Sequence, residues 1–129
     1  MPATYRVAEA AALLGVSDDT VRRWIDSGRL PASRGGGPAV VDGAELARFA
    51  TQLREAPEPG TTPSSARNRL TGIVTRVLRD SVMAQVEIQA GPFRVVSLMS
   101  REAADELGLE VGVRAVATVK ATQVSVDVV

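Results

Sequence analysis

The sequence predicts an α+β chain of two domains: a helical first half, and a second half that forms a small closed or partly closed β-barrel with one short helix. Three observations predict it. Apolar residues recur at helical spacing up to about residue 53, and they alternate from residue 70 onward. Between these stretches, residues 55–65 read Glu-Ala-Pro-Glu-Pro-Gly-Thr-Thr-Pro-Ser-Ser, which holds nothing able to bury a core and is held semi-extended by its prolines. A chain of 129 residues has room for one ordinary domain or two small ones, and the change of pattern selects two. The expected boundaries are residues 1–54, a linker at 55–64, and residues 65–129.

Val7, Ala11 and Leu14 mark one face of a first helix, and Gly15-Val16 turns the chain. Ser17 then caps a second helix whose Val21, Trp24 and Ile25 point inward. Two short helices joined by a tight glycine-containing turn make a helix-turn-helix. With those three residues inward, about 100° per residue puts Asp19, Arg22, Arg23 and Asp26 on the opposite face, with Thr20 toward one edge. The same spacing sets Asp18 with Arg22, Asp19 with Arg23 and Arg22 with Asp26 as i,i+4 pairs on a solvated face. A third helix over residues 43–53 carries Leu46, Phe49 and Ala50 inward.

The run Val16-Ser17-Asp18-Asp19-Thr20-Val21-Arg22-Arg23-Trp24-Ile25-Asp26-Ser27-Gly28-Arg29-Leu30-Pro31 resembles the DNA-binding domains of the MerR-like and excisionase families. The resemblance implies that the second helix enters the major groove of double-stranded DNA and that residues 32–41 form a wing, making this half a winged helix-turn-helix. Arg22 and Arg23 are then the expected contacts to phosphates or a guanine edge, Thr20 lies at the rim, and Arg29 and Arg34 flank the duplex near the wing. The wing departs from the family pattern: Arg34-Gly35-Gly36-Gly37-Pro38 lacks the usual basic or aromatic residues after its glycines.

Downstream, residues 70–79, 82–89, 93–99, 113–120 and 123–128 are strand candidates. Val82, Ala84, Val86 and Ile88 fall on one face with Gln85 and Glu87 on the other. Gly91-Pro92 makes a hairpin turn, Ser100 caps a short helix over residues 101–107 that Gly108 closes, and Gly112 turns the chain again.

Three pieces of this half carry candidate anion donors, and Arg67 and Lys120 among them supply only donors and positive charge. Ser65-Ala66-Arg67-Asn68 contributes a guanidinium and a hydroxyl, Ser100-Arg101-Glu102-Ala103 a hydroxyl at a helix start, and Lys120-Ala121-Thr122 an ammonium and a hydroxyl. The small Ala66 and Ala121 leave backbone N–H groups open to close approach. A dianion gives up strong hydration on binding, so its pocket must replace water with such donors. The three pieces, in this order, resemble the Mop/TOBE family over about half the chain, from residue 64 to residue 129. The resemblance implies an OB-like barrel that holds molybdate or tungstate through Ser65, Ala66, Arg67, Ser100, Lys120, Ala121 and Thr122. It also implies a site between subunits, where the Ser-Ala-Arg-Asn segment of one chain meets the Ser/Thr and Lys segments of another. A homo-oligomer follows, a dimer or a larger assembly such as a hexamer. Where the family carries a second hydroxyl three residues after the first, this chain has Ala103.

Composition narrows the function classes. There is no Cys and no His, which removes disulfides, thiolate or imidazole metal sites and the commonest general base. The formal net charge is zero and aromatics make up 3%, so no global positive field announces nucleic acid. The carboxylates are scattered over expected exposed faces and no nucleophile has a base partner, so no catalytic residues are assigned and no enzyme is expected. A metal enters only as an oxyanion. The first residues lack the apolar run of a signal peptide, and no segment approaches the length that crosses a bilayer, which places the chain in the cytoplasm. Together the halves suggest a molybdate- or tungstate-responsive DNA-binding transcriptional regulator. The alternatives are an oxyanion store with an N-terminal interaction module, and an excisionase-like DNA-binding protein whose barrel only oligomerises.

Overall fold

The computed structural model describes residues 3–54 and 64–129, so the linker expected at residues 55–64 lies, but for Ser64, outside the described residues. The chain divides into two compact units, Met1–Thr61 and Thr62–Val129.

The first unit runs β1 (Thr4–Arg6), α1 (Val7–Leu14), α2 (Asp18–Asp26), β2 (Val40–Asp42) and α3 (Gly43–Gln52). Gly15 ends α1 at φ 70°, a left-handed position where a side chain would be strained. The Ser17 hydroxyl accepts the Thr20 N–H at 3.2 Å and starts α2. Ala10, Ala11, Val21, Leu30, Val41, Leu46 and Phe49 form the core. Trp24 and Ile25 are half-buried against it, with the Trp24 and Phe49 rings 4.8 Å apart. Leu30 is drawn into this core because the N–H groups of Arg29 and Leu30 both donate to the Trp24 carbonyl, at 2.9 and 3.1 Å.

The strand β1 is absent from the sequence-based expectation. It pairs antiparallel with β2, Tyr5 opposite Val41, and three residues are too few to show a period. The wing reduces to a turn closed by one bridge, Ser33 to Val40. The predicted i,i+4 pairs on α2 give way to a different arrangement: Arg22 bonds Asp19 one turn back at 3.2 Å, and Asp26 reaches Arg34 of the wing at 3.4 Å. Four-residue spacing permits a pair, but rotamer choice decides which neighbour is met.

The second unit contains β3 (Asn68–Arg79), β4 (Met83–Ala90), β5 (Phe93–Ser100), α4 (Arg101–Glu106) and β6 (Arg114–Val119). The four strands form one antiparallel sheet in the order β5-β4-β3-β6. A register shift between Val74 and Arg76 breaks the β3 ladder at the place where the strand bends and twists. Val74, Val86, Ile88 and Leu109 form the core on the concave side, with Val77, Val95, Met99, Val113, Ala115 and Ala117 packed around them. Arg79 ties α4 to the sheet by bonding Asp105 at 3.1 Å, Glu110 at 3.2 Å and the Leu109 carbonyl at 2.8 Å.

Three expectations are corrected here. Residues 123–128 do not form a fifth strand: a single 3-10 turn at Ala121–Gln123 follows β6, and no ladder follows the turn. The sheet is therefore a curled half-barrel with free edges at β5 and β6. Alternation marks residues able to form a strand but says nothing of whether an edge lies within reach. Glu87, expected on the solvent face, is 8% exposed, because Arg94 on the neighbouring strand pairs with its carboxylate and lies over it. Val82 precedes β4 and is exposed rather than buried.

Candidate functional site

Asn68 stands opposite Val119 in the β3–β6 ladder, and its side-chain amide donates to the Val119 carbonyl at 3.0 Å. Continued by one residue, that register brings Arg67 beside Lys120. The segments holding Ser65, Ala66 and Arg67 and holding Lys120, Ala121 and Thr122 thus meet at one end of the sheet, within one chain. All but the half-buried Ala66 are exposed, and Ala66 N–H donates to the Ser64 hydroxyl at 3.1 Å. None of the described ion pairs involves Arg67 or Lys120. Two cations close together without a carboxylate make this end of the sheet locally electropositive.

Ser100 lies elsewhere. It ends β5, opposite Met83 of β4, at the far end of β3 from Asn68. The 12 residues of β3 span roughly 35 Å of strand contour. The Ser100 hydroxyl accepts the Ala103 N–H at 3.1 Å to cap α4, which occupies a lone pair and leaves its proton free to donate. The pocket beside it, about 560 Å³, is lined by Glu102, Asp105 and Glu106 against a single Arg101. Three carboxylates disfavour a dianion unless cations arrive from another chain. Within one chain the Arg67 and Lys120 segments meet at one end of the sheet, and Ser100 lies away from both.

In the first unit, Arg22, Arg23, Arg29 and Arg34 are exposed and Thr20 is half-buried. Arg22 and Arg34 line a pocket of about 350 Å³ together with Arg6, a residue that sequence reasoning missed. Arg6 ends β1 opposite Val40, and only the pairing of β1 with β2 brings it beside the wing; nothing local in the sequence signals this. Asp18 lines the same pocket and offsets part of the charge. The Arg23 guanidinium donates to the Thr20 hydroxyl at 3.3 Å. Arg29 is turned elsewhere, its guanidinium 5.7 Å from the Phe49 ring centroid, where it packs over the core. Among the described residues no cluster of Asp and Glu is arranged to hold a metal ion, and no helix is long and apolar enough to cross a membrane.

Fold and site define a two-part chain, a helix-turn-helix unit followed by a curled antiparallel β unit with paired cations at one end. The chain belongs to the TOBE-domain family: the TOBE domain matches residues 64–126, and a helix-turn-helix domain matches residues 4–54. It is 48% identical over 65 residues to a probable molybdenum-pterin-binding protein of Haemophilus influenzae, covering 50% of this chain and 94% of that one. Among solved structures it is similar to MopII from Clostridium pasteurianum, at 34% identity and a TM-score of 0.48, covering 51% of this chain and 100% of that one. A molybdate-binding protein from Sporomusa ovata is similar at 28% identity and a TM-score of 0.49, covering 50% of this chain and 97% of that one.

Proposed function

We propose that this chain is a transcriptional regulator that binds DNA through its first unit and molybdate or tungstate through its second. The observation that supports the reading is the pairing of Asn68 with Val119, from which the Arg67 and Lys120 segments leave one end of the sheet, together with 48% identity over 65 residues to a probable molybdenum-pterin-binding protein. Arg67 and Lys120 compensate the two negative charges, Ser65 and Thr122 add hydroxyl donors, and the small Ala66 and Ala121 let backbone N–H groups approach the oxyanion. Ser100 completes the site from a second chain, so a functional particle is at least a dimer.

On DNA, Arg22 and Arg23 are the contacts from α2, with Arg6 and Arg34 gripping phosphate beside the wing. The exposed pairs of Arg22 with Asp19 and Arg34 with Asp26 are weak and exchange readily for phosphate. Anion binding at the subunit interface then changes how many recognition helices are held together. Two recognition helices on one particle bind adjacent half-sites far more tightly than two separate chains do. The action belongs in the cytoplasm, where DNA and the free oxyanion meet.

One observation favours a second reading. A probable molybdenum-pterin-binding protein is matched over 94% of its length by 50% of this chain, about the extent of one unit, which supports an oxyanion store that needs no DNA-binding partner. Isothermal titration with molybdate, with sulfate and phosphate as controls, tests the site. Fluorescence anisotropy of a labelled duplex with and without molybdate tests the coupling. Saturable molybdate binding that shifts duplex affinity supports the regulator; molybdate binding with no duplex affinity supports the store; no heat with molybdate refutes both.

A further inference from the structure

We infer that the two arginines of α2 divide the reading of DNA: Arg23, aimed by the Thr20 hydroxyl, reads a guanine edge in the major groove, whereas Arg22 joins Arg6 and Arg34 on one backbone phosphate. The inference rests on the DNA-binding half of the proposed function and deepens it by naming the residue that sets sequence preference.

Direction separates the two side chains. Val21, Trp24 and Ile25 define the side of α2 that meets the core. At about 100° per residue, Arg23 lies within about 30° of the direction opposite to that side, and Arg22 about 75° from it. Arg23 therefore stands where the floor of a groove would lie, and Arg22 stands on a flank. That flank is the one approached by β1 and the wing: Arg22 lines a hollow of about 350 Å³ with Arg6 and Arg34, and Arg23 is not among its walls. Three guanidiniums around one hollow suit a phosphate group, whose oxygens accept from several forks at once.

Their partners separate them as well. Arg22 and Arg34 are each held by a carboxylate, Asp19 at 3.2 Å and Asp26 at 3.4 Å, whereas none of the described ion pairs involves Arg23. The Arg23 guanidinium donates instead to the neutral Thr20 hydroxyl at 3.3 Å, which leaves its charge unopposed by a direct partner. The Thr20 hydroxyl lies 2.9 Å from that of Ser17, and Ser17 accepts the Thr20 N–H and caps α2. Ser17, Thr20 and Arg23 thus form a chain that rises along one edge of the helix from a fixed cap.

Such a chain matters for a base more than for a phosphate. An unrestrained arginine loses rotamer freedom when it docks, and one already set by a hydroxyl loses less. Guanine O6 and N7 accept both prongs of a guanidinium only when it lies in the plane of the base, whereas a phosphate accepts from many directions. The acidic residues favour the same division. Asp19 and Asp26 share the outer face of α2 with Arg23 and are exposed, and carboxylates there repel a charged phosphate far more than a neutral base edge. Thr20 is accordingly a positioning residue, and Arg23 the one that touches the base.

The full chain is first used to select from a pool of duplexes with a randomised centre, with and without molybdate, which yields its preferred site. For each selected guanine, two duplexes that differ only by G·C against A·T at that pair are then compared by fluorescence anisotropy over a salt series. The wild-type chain should prefer guanine by about 5- to 150-fold at one position in each half-site. Arg23→Ala should lose that preference. Arg22→Ala should keep it, weaken binding to every duplex alike, and lower the slope of log affinity against log salt by about 0.9. Thr20→Val keeps the side-chain shape but removes the hydroxyl, and should weaken the guanine preference without changing the slope, while Thr20→Ser restores it. A merely structural Thr20 would instead lower the melting temperature and the affinity for all duplexes together. If Arg22→Ala rather than Arg23→Ala loses the preference, if the two variants behave alike, or if the wild-type chain binds every duplex equally, the assignment is overturned while DNA binding stands. No affinity for any duplex in either condition overturns the DNA reading and the assignment with it.

Discussion

The residues that position the candidate site act through charge and through donors left unspent. Arg67 and Lys120 share one end of the β3–β6 ladder, so removing either leaves a dianion under-compensated while disturbing no packing. Arg67→Ala and Lys120→Ala should each weaken molybdate binding by about 10- to 150-fold, the equivalent of roughly 1.5–3 kcal/mol for a charged hydrogen bond, with an unchanged melting temperature. Titration calorimetry checks this. Arg6 belongs to the other unit and has a different signature. If it grips a phosphate, Arg6→Ala should lower the slope of log affinity against log salt by about 0.9 on any duplex sequence, and anisotropy titrations over a salt series read that slope. Asp80 is a purely structural residue: the N–H groups of Met83 and Val82 donate to its carboxylate at 2.7 Å and hold its pKa below the ordinary value. A depressed carboxylate stabilises the fold above its unfolded pKa and loses that contribution as pH falls through the folded one. Asp80→Asn should therefore flatten the acid-side fall in stability below about pH 4, as measured by urea denaturation at stepped pH. The caps at Ser17 and Ser100 were legible in the sequence because capping is local. Arg6 and Glu87 were not, since each owes its surroundings to a strand far along the chain.

Elements were legible in proportion to how local their causes are. The three helices of the first unit and α4 follow from apolar spacing, a hydroxyl at each start of α2 and α4, and glycine at the turns. β3, β4, β5 and β6 follow from alternation to within a few residues at their ends. What alternation could not supply is partnership: β1 is too short to show it, and residues 123–128 show it without a strand forming in one chain. Close approach is likewise invisible in a pattern. At Gly72 an added Cβ would lie 2.3 Å from the Gln89 carbonyl oxygen and 2.8 Å from the Ile88 side chain, so β3 and β4 touch there at a distance only glycine permits. Gly72→Ala must push backbone apart and should destabilise the second unit by about 1–3 kcal/mol, as overpacking does. Urea denaturation followed by far-UV circular dichroism would show this. The separation of the units makes a further expectation: the Trp24 fluorescence transition, which reports the first unit, should move little in the same variant.

At the scale of the whole molecule, the two families read from short motifs cover complementary halves of the chain, residues 4–54 and 64–126. The grouping of the site residues was the part the motifs left incomplete. They singled out Ser65, Arg67, Ser100, Lys120 and Thr122 as candidates but not which of them share an end of the sheet, because that depends on strand order. The order β5-β4-β3-β6 puts the cations at one end and the Ser100 hydroxyl at the other, with the length of β3 between them. On the proposed reading, a lone chain owns two halves of different sites and no whole one. If two such chains pair about a twofold axis, they complete two sites at once, and the expected stoichiometry is one anion per chain with each anion belonging to a pair. Dilution then acts as an antagonist. Molybdate affinity should fall as protein concentration drops below the pairing constant, and titrations at several protein concentrations should give a family of curves rather than one. A cell that makes little of this protein would be insensitive to molybdate even with the oxyanion abundant, so the threshold of response is set by the amount of protein as much as by the amount of ligand.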